Sequence, residues 1–238
     1  MLYLEFLREL HGILAPTAYL EIGVDHGASL ALARGKAIGI DPAPRLTEPL
    51  RPGTVVYEET SDAFFARAEP LAHFGTVAPQ LALIDGMHLA EFALRDFINV
   101  ERLMNPTGVI VFDDILPRER EWANREEHGH FWTGDIYKLT ALLARERPDL
   151  TLLTLDTDPG GLLLVLGLNP ASTTLDDRYA ALAAEIDQPD PQDVPTTVLR
   201  RRGALDPGAV LAALRSGENP SAAPGRRRWR RPRARARS

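Results

Sequence analysis

Cysteine is absent from the 238 residues. Disulfides, cysteine-ligated zinc, iron–sulfur clusters and thiol nucleophiles are therefore excluded, and the composition fits a reducing, cytoplasmic setting. Lysine is nearly absent too: Lys36 and Lys138 stand against 25 arginines, a skew that reads as compositional bias. Long apolar runs are missing. The longest, GLLLVLGL at 161–168, falls far short of the roughly 20 residues that span a membrane. The opening MLYLEFLRELHGIL has the length of a secretion signal, but Glu5, Arg8, Glu9 and His11 interrupt it at helical spacing, so an amphipathic helix is expected. Acid is missing from one segment only. Residues 221–238 hold eight arginines and no carboxylate, so a net charge of −6 leaves −14 on residues 1–220. An acidic body is a poor nucleic-acid reader. The tail SAAPGRRRWRRPRARARS is low-complexity and proline-broken, and is expected to be disordered, with at most weak contacts to anions such as RNA.

What is present is enough apolar residue, 45%, for a full core. Strand-like runs alternate with helical patterns. A helix is expected over 3–14, strands over 18–23, 37–41, 54–59, 81–85 and 108–114, and helices over 27–35, 61–74, 88–104 and 134–148. The runs at 150–156 and 162–168, joined by TDPGG, read as an antiparallel hairpin. The expectation is an α/β fold: a Rossmann-like, doubly wound sheet, mostly parallel, with one antiparallel strand from the C-terminal hairpin. Residues 1–168 form the main domain with its N-terminal helix. Residues 169–220 read as a helical appendage and 221–238 as the tail.

In such sheets ligands bind beyond the carboxyl ends of the strands, where the strand order reverses. The first strand ends in Glu21-Ile-Gly23-Val-Asp25-His26-Gly27, a strand–glycine loop–helix pattern. No lysine follows to hold a triphosphate, and no Gly-x-Gly-x-x-Gly is present for a dinucleotide. Acids stand where a phosphate binder would want none. The other strands deliver acids to the same edge: Asp41; Glu58, Ser61 and Asp62; Asp85 with His88; and Asp113-Asp114. Asp41, 18 residues after Gly23, suits a ribose diol, or else caps the next turn. A ligand with ribose, positive charge and no phosphate matches this loop, and S-adenosylmethionine is one.

At this point the chain resembles the class I methyltransferases over about residues 15–168. Their first motif, an acid, one residue, glycine, three residues and glycine, is matched by Glu21, Gly23 and Gly27, and their second acid by Asp41. Within that class, "LIDGMH", "GVIVFDDI" and "FWTGDIYKL" are similar to small-molecule O-methyltransferases whose fourth strand ends Asp-Gly-x-His. The resemblance implies S-adenosylmethionine as cofactor, bound by Glu21, Gly23, Asp25, His26, Gly27, Asp41, Ser61, Asp62 and Asp85. It also implies a divalent ion, Mg²⁺, on Asp85, Asp113 and Asp114. Three converging carboxylates repel one another unless protonated or bridged by a cation, which supports the ion independently. The competing reading has these acids facing cofactor and backbone.

His88 is the candidate base beside Asp85, unless it only packs or caps a helix. The polar, aromatic-tipped segment 117–135 is expected to cover the acceptor through His128, His130, Trp132 and Asp135. Alternatively it is a solvated loop in which Asp135 caps the next helix. The leading function is methyl transfer to an oxygen of a small molecule, a sugar or natural product, with a homodimer as the expected assembly. The alternatives are a metal-dependent hydroxylase on the same fold and a binding protein that uses the arginine tail.

Overall fold

A computed structural model describes residues 1–127, 131–218 and 220. His128 and His130, and the tail 221–238, lie outside the described residues. After α1 (Tyr3–Leu14) come β1 (Ala18–Ile22), β2 (Lys36–Ile40), β3 (Thr54–Tyr57), α2 (Ser61–Phe65), β4 (Leu81–Ile84), α3 (Ala90–Leu103) and β5 (Val109–Phe112). Then follow α4 (Lys138–Glu146), β6 (Thr151–Leu155), β7 (Leu162–Leu166), α5 (Tyr179–Ile186), α6 (Thr196–Leu199) and α7 (Pro207–Ser216). The seven strands lie in the order β3-β2-β1-β4-β5-β7-β6. Only β7 runs against its neighbours. This is the doubly wound sheet with one reversed strand that the residue pattern predicts.

Register is what builds a site. Ile22 lies beside Ile40 and Ile84, and Ile84 beside Phe112, so four adjacent strands end at one level. Gly23, Asp41, Asp85 and Asp113 are the residues that follow, and they share one edge. The order reverses between β1 and β4, which opens a crevice there.

Alternation along the strands divides the core into two layers. Leu20, Ile22, Ile84 and Phe112 pack with Phe97 of α3, Leu143 of α4 and Leu182 of α5. Tyr19, Leu83 and Val111 pack on the other face with Phe6 and Leu10 of α1 and Val210 of α7. Strands covered on both faces must be apolar throughout, as LALI and VIVF are. The stretch after β7 joins both layers, through Leu182 and Ile186 on one face and Leu205 and Leu211 on the other. No helix among the described residues is long and apolar enough to cross a membrane.

Two expected helices are much shorter than the pattern suggests. The helix predicted over 27–35 is a single 3₁₀ turn, Leu30–Leu32. Its face of the sheet is already covered by α1 and α7, and Gly35 must pass close under the carbonyls of Pro16 and Thr17. The helix predicted over 61–74 stops at Phe65 and resumes as a 3₁₀ turn, Ala72–Phe74. Pro70 would crowd the carbonyl of Ala66 if the helix continued. The short α6 carries no clear periodic signal.

Candidate functional site: a cleft at the strand ends

The crevice is a cleft of ≈ 1150 Å³. On its β1–β2 side the backbone is the main architect. Gly23 has φ +84°, and a Cβ there would lie 1.8 Å from the carbonyl oxygen of Asp85. Only glycine lets the loops after β1 and β4 cross so closely. Asp41 ties the loop down: its Oδ2 accepts from the backbone N–H groups of Val24 and Asp25, both at 2.8 Å. Its Oδ1 accepts from Ala43 N at 2.8 Å. Asp25, exposed, is held by Arg45 through Nε at 3.0 Å and Nη2 at 2.6 Å, and meets His26 Nδ1 at 2.5 Å. The slight burial of Asp25 raises its carboxyl, but Arg45 and His26 outweigh it and hold the group below the usual carboxylate range.

Glu21 is in a different position from its motif neighbours. It is fully buried beneath the loop, accepting from Tyr19 Oη at 2.6 Å and Ser29 Oγ at 2.7 Å. Burial pushes its carboxyl up to about 8, against the pull of those two hydrogen bonds. It does not line the cleft. Ser61 and Asp62 do, at the start of α2, where Thr60 Oγ1 caps the helix by accepting from Ala63 N. Asp62 pairs with Arg95 at 2.6 Å.

The β4–β5 side is built from strain and buried charge. His88 and Asp114 both have left-handed backbones, φ 53° and 59°. Each conformation costs about 1–2 kcal/mol for a residue with a side chain. A glycine makes room for each. A Cβ on Gly134 would lie 1.7 Å from the carbonyl oxygen of His88, and one on Gly160 would lie 1.6 Å from Asp114 Oδ1. His88 Nε2 meets Asp85 Oδ1 at 3.1 Å, and its Nδ1 lies 3.1 Å from the carbonyl of Trp132 and 3.7 Å from Asp114 Oδ2. A carbonyl can only accept, so Nδ1 carries a proton and Nε2 is the atom free to gain or lose one. Burial alone would lower the imidazole pKa, but the hydrogen bond to Asp85, the charges of Asp85 and Asp114 and the Trp132 carbonyl together raise it to about 9.

Ligand atoms of Asp85, His88 and Asp114 lie within 4.8 Å of one another, a grouping that could hold a cation. Asp113 was the expected third member. It lines the cleft, but its Oδ1 turns back to accept from Asp114 N at 2.8 Å, and His88 takes its place in the grouping. Burial, then Asp85 and Asp114, pushes the Asp113 carboxyl far up. Burial also raises Asp114, to about 7, with His88 and Arg201 pulling down and Asp85 adding to the rise.

Residues 20–115, which contain both sides of this cleft, match a family described as a methyltransferase domain. The chain is a class I methyltransferase. Its fold is shared with the O-methyltransferase TomG from Streptomyces achromogenes, involved in tomaymycin synthesis and solved in complex with S-adenosylmethionine. That match has 16% identity and a TM-score of 0.52, and covers 70% of this chain and 79% of TomG. A Klebsiella pneumoniae protein assigned as an O-methyltransferase matches at 19% identity and TM-score 0.50, covering 70% of this chain and 80% of its own. No curated protein sequence matches. S-adenosylmethionine is the methyltransferase's cofactor.

The lid of the methyltransferase descends on the acidic side. Trp132 stacks on His88, with ring centroids 5.1 Å apart, and is anchored by donating from Nε1 to the carbonyl of Asn124 at 2.7 Å. Phe131 and Trp132 line the cleft; Asp135, expected to touch the acceptor, does not. Asp135 is wholly buried, and its Oδ1 accepts from Ala90 N at 2.7 Å, capping α3 rather than the helix that follows it. Its Oδ2 receives Arg125 at 2.8 Å and Lys138 at 2.7 Å. A buried carboxylate with three donors has nothing left for a substrate. Two cleft residues escape sequence reasoning. Tyr3 enters from the first turn of α1, and Asp96 from the middle of α3. Their helical patterns mark both positions as helix and say nothing about which one meets the ligand.

Proposed function

We propose that this methyltransferase moves the methyl group of S-adenosylmethionine onto a hydroxyl of a small-molecule acceptor, with His88 as general base. The observation that carries this reading is the posture of His88. Its Nδ1 is held on the Trp132 carbonyl, its Nε2 faces Asp85 inside the cleft, and an aromatic lid lies over it. The two solved O-methyltransferases of this fold support oxygen as the acceptor atom.

In the reaction the acceptor oxygen attacks the methyl carbon in line with the carbon–sulfur bond, whose electrons leave on sulfur to give S-adenosylhomocysteine. Nε2 of His88 takes the hydroxyl proton. The loop from Gly23 to Gly27 holds the methionine end, with Asp25 and His26 at its rim. Asp41 holds the ribose through the lone pairs its backbone partners leave open. Trp132 and Phe131 exclude water from the acceptor.

Asp85, His88 and Asp114, with Asp113 behind them, fit a divalent cation. Their carboxyls are buried, mutually repelling, and raised or hydrogen-bonded in ways a cation relieves. Such an ion, Mg²⁺ by its preference for oxygen, would supply a Lewis acid that lowers the acceptor hydroxyl's pKa. The test is incubation with labelled S-adenosylmethionine and a panel of sugar and phenolic hydroxyl acceptors, with and without EDTA. Label transfer to an oxygen that requires His88 supports the reading; transfer to nitrogen or carbon only, or transfer by His88→Ala at the unaltered rate, overturns it.

A further inference from the structure

Asp96 lies on α3 one turn after Phe92, and both line the cleft below the ends of β3 and β4. Its carboxylate is 5% exposed. Its partner is the hydroxyl of Ser61, and its Oδ2 would lie 3.9 Å from a Cβ on Gly86. Burial pushes its carboxyl up to about 6, with Ser61 pulling down, Asp62 adding to the rise and Arg95 opposing it. Asp62, the acid nearest in sequence to β3, is in a different state. Its side chain is 51% exposed and already paired with the Arg95 guanidinium.

The order of parts along the cleft decides what Asp96 faces. The glycine loop after β1 takes the amino-acid end of the cofactor and Asp41 the ribose. The base must then lie against the next wall, made of Ser61, Gly86, Phe92 and Asp96. Adenine presents there an exocyclic amine that can only donate. A buried carboxylate holding one hydroxyl keeps several lone pairs to accept it, whereas Asp62 is half in water and shared with a cation. We propose that Asp96 accepts the hydrogen bond from the 6-amino group of the cofactor's adenine and is the residue by which the enzyme selects that base. This rests on S-adenosylmethionine occupying the cleft as described above.

S-inosylhomocysteine tests it, because it replaces the 6-amino donor by a 6-oxo acceptor and leaves the rest of S-adenosylhomocysteine unchanged. Calorimetry at about pH 8, above the Asp96 titration, should show the wild-type protein binding S-adenosylhomocysteine about 10- to 100-fold more tightly than S-inosylhomocysteine, the range of one hydrogen bond to a charged group. Asp96→Asn keeps the shape of the side chain and adds an amide donor that suits a 6-oxo group. It should bring the two affinities within a few fold or invert them. Asp62→Asn should leave the wild-type ratio in place. Equal binding of both ligands by the wild-type protein overturns the proposal without any variant. So does a ratio that survives Asp96→Asn or is lost in Asp62→Asn. Failure of the wild-type protein to bind S-adenosylhomocysteine at all is a separate result, and removes the cofactor reading itself.

Discussion

The two sides of the cleft edge are made of the same material, carboxylates at the ends of parallel strands, and hold it in opposite ways. On the β1–β2 side, Asp41 accepts three backbone N–H groups and Asp25 is paired with Arg45. These charges are compensated before any ligand arrives. On the β4–β5 side, Asp113 and Asp114 are buried beside Asp85 with only His88 and Arg201 as cationic relief, and their carboxyls are pushed up. The first arrangement suits a rigid cradle. The second suits chemistry, because groups whose protonation is balanced on their neighbours can exchange protons near neutral pH. Gly23 is the hinge between them, with its position of closest approach on the Asp85 backbone.

That hinge gives the largest expected effect. Gly23→Ala places a Cβ against backbone at 1.8 Å and a side chain at φ +84°. It should cost at least ~3 kcal/mol of stability and abolish S-adenosylhomocysteine binding, as read by thermal melting and calorimetry. A variant that melts and binds like the wild type would mean that the two sides are not coupled there. Next in size is His88→Ala. Turnover should fall by about 10²-fold or more while cofactor affinity stays within a few fold, because only the acidic side is touched. A matched loss of cofactor affinity would make His88 part of the cradle instead.

How much of this was readable from the residues follows from the range of the interactions involved. Gly23, Asp41, Asp85 and Asp113 were legible because each directly follows an apolar strand, and parallel strands in register end together. Glu21 was legible as a motif member, but not its place beneath the loop. That depends on Ser29, eight residues on, folding back over it. Asp135 looked like a local helix cap and instead caps α3 from 45 residues away, a tertiary contact no local pattern encodes. The strain at His88 and Asp114 was also hidden, although Gly134 and Gly160 are its sequence counterparts, lying far along the chain.

On the cradle side, Asp41→Ala should weaken S-adenosylmethionine binding by about 1.5–3 kcal/mol, since it removes charge-assisted hydrogen bonds that shape the loop. Metal-stimulated behaviour of the acidic side should be unchanged. Calorimetry on the variant with cofactor and with Mn²⁺ as a probe ion separates the two, and loss of both would contradict the division.

The smallest expected effect is on stability against pH, and it belongs to the acidic side. Asp114, at about 7 when folded, is raised above its ordinary 3.8, so the folded state holds a proton that the unfolded state has released between those values. His88, at about 9, is raised above its ordinary 6.5, and the folded state again holds the extra proton over that window. Whenever the folded state binds more protons, stability falls as pH rises. The Asp114 contribution is present below about 4 and lost by about 7; that of His88 is present below about 6.5 and lost by about 9. The metal-free protein should therefore melt progressively lower from pH 5 to pH 9, by several degrees in all. Asp25, lowered and exposed, works weakly in the opposite sense and mainly below this range. Asp114→Asn removes the charge that both terms depend on and should flatten the decline, whereas Asp41→Asn should lower the whole curve and leave its slope. A slope unaffected by Asp114→Asn would show that the proton balance of the fold is set elsewhere, with buried Glu21, raised to about 8, as the group to replace next.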